Sequence, residues 1–436
     1  MPKQNNVKSR ILHFPAATGG WNQIDNLAAM EPTDAVQLDN LFPEPTYLRL
    51  RLGSQLYANI GGTTPVRSLM TYASASRQRM LAACAGQLYD VTTGTPASIG
   101  SGYTSDKWEY VNFATPGGQY WVGVNATAQQ LVWDGTANPP AWATNTWGTG
   151  TVSSNFSMVA AFQNRLFFCG DANLWLYWLP VTTYQGQIDG MDLGGFLPNG
   201  GQIADIGTWT RDDAFQGMND LLVIVTTLGE VLTYSGVNPE DSANWNMVGR
   251  FEIGDPVGGH RALQRLGPDM MLICEDGFQS LANYLSLGVS KALVTQISRK
   301  IGNAVSAAVR ANRLAEGWDA VLWPNNNALI VNVPTVSAGF QQYVVNTITG
   351  SWCRFIGMSA WSWCVYADGL YFGSDNGAVV QASVGADDQG NPIKFELVSA
   401  FQVPEQDPSK KRVTMCRPYL IANGQVLPVM VLTTYC

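Results

Sequence analysis

One short pattern recurs down this chain and restricts its fold more than any other feature. An apolar strand is followed by a glycine-bearing bend and a shorter return strand rich in Leu, Val, Tyr and Trp. The pattern occupies residues 80–91 (bend at Gly86), 120–133 (126–130), 166–178 (170–173), 221–234 (Leu228-Gly229-Glu230), 270–281 (Asp276-Gly277), 329–345 (337–341) and 370–381 (375–377). β-branched and aromatic runs closed by Gly, Asp and Asn are hairpin signals. A hairpin cannot cover its own faces, so units repeated every 40–60 residues must stack on one another. The fullest unit spans 203–254. A first apolar run at 203–210 and a polar link through Arg211, Asp212 and Asp213 lead to Leu-Leu-Val-Ile-Val-Thr at 221–226, apolar as a strand buried on both faces must be. The return strand at 231–234 and a more polar run at 245–253, suited to an outer edge, complete four strands. First strands are expected at 66–73, 108–114, 156–162, 203–209, 262–266, 319–323 and 361–367. The expected fold is all-β, a propeller of six or seven four-stranded blades, since closure of the ring also shields strand edges.

Three segments depart from the repeat. Residues 1–64 form an extended N-terminal arm with Pro2, Pro15, Pro32, Pro43 and Pro45. Its only periodic piece is Tyr47-Leu-Arg-Leu-Arg-Leu52, an edge strand with a solvated face or a contact strand in which Arg49 and Arg51 meet an acidic partner. Leu293, Ile297, Ile301, Val305 and Val309 recur at helical spacing, predicting one inserted amphipathic helix on its parent blade or on a neighbouring subunit. The propeller proper is expected over 65–405. Residues 406–436, with the basic run Ser409-Lys-Lys-Arg412 and apolar runs at 412–421 and 426–435, either close the ring or begin a further module. Residues 135–150 read as a long loop whose Trp142 and Trp147 could form a contact patch.

Phrases in the arm carry a resemblance. Thr33-Asp-Ala-Val-Gln-Leu-Asp-Asn-Leu-Phe-Pro-Glu-Pro45, then Leu48-Arg-Leu-Arg-Leu-Gly53, and later Gly350-Ser-Trp-Cys-Arg-Phe355 resemble the tail nozzle, or tail tubular, proteins of short-tailed bacteriophages. The resemblance runs from about Gly19 to about Tyr419. It implies a structural virion protein, made in the host cytoplasm, that assembles as a homo-oligomeric ring, a hexamer, below the portal and adaptor tail proteins. Tail fibres or spikes would be further partners, and viral double-stranded DNA would pass through the lumen. Leu41, Phe42, Pro43, Arg49, Arg51, Trp142 and Trp147 are the interface candidates. Replacing Arg49 and Arg51 together by Glu is then expected to impair assembly and leave the fold intact. Some relatives are longer, so a distal tip domain would be abbreviated here.

Charge fits a conduit better than a grip. A net charge of −8, with charged residues at 13%, supplies no clustered cations to hold phosphates, whereas a neutral or acidic wall lets a polyanion slide. The seven cysteines are odd in number and widely spaced, without a Cys-x-x-Cys pair, and are expected as reduced, buried thiols. Lys3, Lys8 and Arg10 precede only a brief apolar piece broken by His13 and Pro15, so no signal peptide is expected, and no apolar run is long enough to span a membrane.

Catalytic signatures are absent from the sequence. Only His13 and His260 occur, neither in a nucleophile, metal or phosphate motif, and no cofactor or metal is expected. Asp387-Asp-Gln-Gly-Asn391 lacks the spaced ligands of a calcium loop and reads as a turn. A propeller glycosidase would need two facing carboxylates; Asp212, Asp213, Glu275 and Asp276 are the nearest candidates, each beside a turn. Ser374-Asp-Asn-Gly377 departs from the sialidase box. A carbohydrate-binding, receptor-binding propeller, with Trp142 and Trp147 stacking on sugars, is the other alternative.

Overall fold

The computed structural model describes residues 11, 13–147, 150–151, 155–213, 217–267, 269–287, 296–337, 339–402, 415 and 417–421. Six sheets of four or more strands stand as propeller blades, and a seventh sheet of three strands sits between the fourth and the last two. Their first strands are Ser68–Ala73, Glu109–Thr115, Met158–Phe162, Ile203–Asp213, Leu263–Leu266, Asp319–Trp323 and Ala360–Tyr366. Each lies beside the next in chain order, and the last lies beside the first. The seven expected first strands are thus all present, within two residues at their starts. Every hairpin pairs antiparallel, for example Leu222 with Tyr234 and Ile224 with Leu232 across the Gly229 bend.

Packing between neighbouring blades supplies the core. Met158, Phe167, Leu176 and Trp178 of blade three meet Ile206, Leu222, Ile224 and Leu232 of blade four. Met70, Leu81 and Leu88 of blade one meet Trp121, Leu131 and Trp133 of blade two. Tryptophan fills the widest gaps, with Trp108, Trp121, Trp209, Trp318 and Trp352 among the largest fully buried side chains. A flat ring covers both wedge-shaped neighbours at little entropic cost, which is why large aromatics suit splayed sheets.

The arm is not a separate element. Strand Ser54–Asn59 pairs with Ala378–Ala382 as the fourth strand of blade seven, so the N-terminal part of the chain closes the ring. Strand Asp34–Asp39 lies outside Trp352–Ile356 of blade six, and Glu396–Ser399 pairs outside it in turn. The late runs at 412–421 and 426–435, offered as ring-closing strands, lie largely outside the described residues; the closing strand comes from the arm.

Three further expectations are corrected. Arg211, Asp212 and Asp213 do not form a link: they continue the first strand of blade four, in register with Asn219, Met218 and Gly217. Residues 135–150 are not one loop, because Ala141–Trp142 is the fourth strand of blade two and Asn145–Trp147 pairs with Gly150–Thr151 and Gly186–Gln187. The inserted helix is shorter than its periodicity, running over Gly302–Asn312 after a single turn at Arg299–Ile301; Leu293 lies outside the described residues. Its apolar stripe, Ile301, Val305 and Val309, is buried in one cluster with Phe278, Val331 and Trp352, so it packs on its own chain. Ser298 just before it accepts the Phe278 N–H at 2.9 Å through its hydroxyl, beside the last strand of the three-stranded sheet. That contact occupies the place where the three-stranded sheet would carry a fourth strand. Among the described residues no helix is long and apolar enough to cross a membrane, and Cys84, Cys169, Cys274, Cys353 and Cys364 are free and buried.

Candidate functional site

Two regions of this propeller carry chemistry that the core does not require: the axial mouth at the end where the first strands begin, and the arm with the blade edges it builds.

The axial mouth encloses a cavity of about 550 Å³. Its charged side chains sit at the start of a first strand, up to three residues before one, or in a bend at the same end, so the ring geometry brings them toward the axis. Arg261, ahead of the fifth first strand, reaches across the channel. Its Nε donates to Glu109 Oε1 at 2.8 Å, and its Nη2 donates to Ser68 Oγ at 3.0 Å and to the Trp108 carbonyl at 3.2 Å. Asp319 Oδ2 lies 3.5 Å from Nη1. One guanidinium thereby ties blades one, two and six to the fifth sheet. Burial pushes the Glu109 and Asp319 carboxyls above their ordinary range, against the pull of Arg261. Burial would by itself lower Arg261, but the two carboxylates hold it above its usual value.

A second clamp centres on His260, held at φ +62°. Its Nε2 lies 2.9 Å from Asp171 Oδ1 and its Nδ1 3.1 Å from the Ala204 carbonyl. Carbonyl and carboxylate oxygens only accept, so the two contacts are hydrogen bonds together when both ring nitrogens carry protons, which favours the imidazolium form. Burial opposes that charge, and the Asp171 hydrogen bond and charge outweigh it, raising the His260 pKa; the same hydrogen bond lowers Asp171. Beneath lies Asp205, which accepts the N–H groups of Leu263 and Ile206, each at 2.8 Å. Burial pushes its pKa up to about 8. At the rim, Glu316 is shared by Arg67 and by Lys107, the latter at 2.7 Å, and Arg67 lies over the Trp361 ring at 5.4 Å. Apart from Asp205, each of these charged groups is engaged by another from a different blade, and the cluster joins blades around the axis.

The sequence named His260 but missed Arg67, Lys107, Glu109, Asp171, Arg261 and Glu316. The available signal was positional: a charged residue stands within three positions ahead of the first strands of sheets one, two, five and six. The four acids considered for glycoside cleavage are not gathered. Asp212 and Asp213 end their strand far from its axial start, whereas Glu275 and Asp276 stand in a bend at the axial end, and Glu275 accepts Arg310 Nε at 2.6 Å. His13 is exposed. Among the described residues no group of three His, Cys, Asp or Glu is arranged to hold a metal.

In the arm, most interface candidates prove to be internal. Leu41, Phe42 and Pro43 form a buried strand against Leu48–Leu50. Arg51 is 6% exposed: its Nη1 and Nη2 grip Asp388 at 2.9 and 2.5 Å, its Nε donates to Asn40 Oδ1 at 2.8 Å, and its Nη2 also reaches the Ile356 carbonyl at 3.0 Å. Asp388 belongs to the segment read as a turn, and it is a small hairpin. Arg51 therefore cannot meet a partner's acid, because desolvating the guanidinium requires these internal acceptors. Arg49 is less buried; its Nε donates to Glu44 at 3.0 Å and its Nη2 to Asn326 at 3.0 Å, above the Phe42 ring. Relative to expectation the arginines turn inward, and Tyr47, Leu50 (41%) and Leu52 (46%) are exposed, as is Leu56 (54%) on strand Ser54–Asn59, while Leu48 packs against the core. Trp142 and Trp147 are about two-fifths exposed. Trp142 stacks on Trp108 at 6.2 Å, and Trp147 meets Trp175 and Tyr177 edge-on.

No family model matches the chain, and no curated protein does. Among solved structures it is similar to the computationally designed Ika8 protein, at 11% identity over 76% of this chain and all of that one, with a TM-score of 0.44. It is also similar to the extracellular domain of a putative one component system from B. thetaiotaomicron, at 11% identity and a TM-score of 0.48, covering 76% of this chain and 40% of that one. A putative hybrid two component system from the same organism aligns at 13% identity with the same TM-score, over 76% of this chain and 39% of that one.

Proposed function

We propose that this chain is a structural virion protein, the propeller subunit of a tail nozzle in a short-tailed phage. Six copies form a ring below the portal and adaptor, contact tail fibres or spikes, and surround the exit path of the double-stranded genome. The observation that carries the reading is the arm. The same stretch that bears the nozzle-like phrases, 33–53, is woven into blades six and seven by buried strands and the Arg51–Asp388 pair, yet it leaves Leu50 and Leu52 at the surface. An arm fixed this firmly with its leucines outward suits a rigid assembly part. Duplex DNA would run in the lumen between subunits, because Arg261 crosses the propeller's own axis. Light scattering on the purified protein, with and without its neighbouring tail proteins, tests this. A six-chain species supports the nozzle; a monomer that ignores tail proteins refutes it. The half-exposed indoles of Trp142 and Trp147 favour the carbohydrate-binding alternative as second reading, which glycan binding by a monomer would support.

A further inference from the structure

Exposed apolar side chains are spread over several parts of this propeller, and two groups of them lie on strands at blade edges on its circumference. The first lies where blades six and seven meet. Tyr47, Leu50, Leu52 and Leu56 come from the arm, and Leu397 from the outermost strand of blade six; all are at least two-fifths exposed. The second is the outer edge of blade four. Strand Trp245–Glu252 is the last of its sheet, and among the described residues no strand pairs with its outer side. Met247 and Val248 on it, and Val237 beside it, are 44–55% exposed.

The first patch is costly by construction. Turning Arg51 inward commits a guanidinium to burial and puts Leu50 and Leu52 in water, the reverse of what an amphipathic strand gains from its alternation. Its five side chains present roughly 400 Å² of apolar surface, about the apolar share of one side of a standard interface of ~800 Å² per partner. The second patch is smaller but adds a free strand edge, which invites a neighbouring chain.

Resting on the ring reading above, we infer that these two surfaces are the two halves of one head-to-tail interface between copies of this chain. The arm patch of one subunit covers the blade-four edge of the next. Two unlike patches on one subunit make a heterologous contact, and such contacts close into a ring only when the angle between them fits. Blade four and the junction of blades six and seven stand two and a half blades apart in a circle of seven sheets, roughly 130°. The interior angle of a six-membered ring is about 120°. With propeller axes parallel to the ring axis, the patches therefore point at their neighbours without a large tilt. A self-complementary dimer would need one patch, and would leave the other bare.

The test uses the full chain and two variants, Leu50→Glu/Leu52→Glu on the arm and Met247→Glu/Val248→Glu on blade four, with light scattering at about 100 μM. All four positions are exposed, so the folds should survive, checked by near-ultraviolet circular dichroism. The wild type is expected as a ring, each variant alone as a monomer, and an equimolar mixture of the two as a dimer, since each retains the half that the other lost. Wild-type rings that persist in both variants overturn this assignment and leave the nozzle reading standing. A blade-four variant that dimerises alone would show an arm-to-arm contact instead. A wild type that stays monomeric alone and with tail proteins removes both readings together.

Discussion

Arg51 offers the sharpest check on how the arm is held. Replacing it by Met preserves most of the stem volume and removes five donated hydrogen bonds: two to Asp388 and one each to Asn40 Oδ1 and the Leu52 and Ile356 carbonyls. Asp388, whose side chain is 15% exposed, would keep only the Ser54 hydroxyl at 3.0 Å. Removing one member of a buried pair costs about 3–5 kcal/mol, mostly through the charge left behind. With an m-value of about 3 kcal/mol/M, that lowers the urea midpoint by about 1–1.7 M. Arg49→Met breaks a half-exposed pair whose side chains are 27% and 21% exposed, and its cost should be about 1 kcal/mol or less. The double variant Arg51→Met/Asp388→Leu should recover much of the loss, because no stranded carboxylate remains. Tryptophan fluorescence through a urea titration reads all four proteins. An Arg51→Met midpoint within error of Arg49→Met would refute the internal-clasp account and restore the expectation that both arginines face a partner.

Three other consequences can be measured directly. The His260–Asp171 clamp stabilises the fold fully below the unfolded histidine value of about 6.5 and above the unfolded aspartate value of about 3.9. It is lost as pH rises through the raised His260 pKa or falls through the lowered Asp171 pKa; thermal midpoints of His260→Gln and wild type should therefore converge on the alkaline side. Asp205 keeps a proton that the unfolded chain releases, so it erodes stability as pH climbs from about 4 toward its folded value of about 8, and Asp205→Asn should flatten that slope. Gly229 turns the blade-four hairpin at φ +74°, where an added Cβ would meet the Ile253 carbonyl oxygen at 1.9 Å. Gly229→Ala should cost about 1–3 kcal/mol in urea unfolding, whereas Gly350→Ala, with φ +71° but open space around it, should cost less.

Repetition made the architecture legible. A period-2 apolar strand, a glycine bend and a return strand are local events, written within about a dozen residues each, and their recurrence dictates stacked sheets. All seven first strands and the outer position of strand Trp245–Glu252 followed from that alone. Buried cysteines at the bends followed as well, because Cys84, Cys169 and Cys274 occupy equivalent positions in three of the sheets.

What the tertiary structure decided was long-range. Strand Ser54–Asn59 completes blade seven some 320 residues away in sequence, by register with Ala378–Ala382, and no local pattern encodes that pairing. The same holds for the axial mouth, where Arg261, Glu109 and Asp319 meet only because ring closure carries the starts of distant strands to one axis. The orientation of the arm was beyond the sequence for a related reason. Alternation fixes that Leu50 and Arg51 point to opposite faces. Which face is inward depended on Asp388, Asn40 and the Ile356 carbonyl waiting on the far side, acceptors that only the assembled blades bring together.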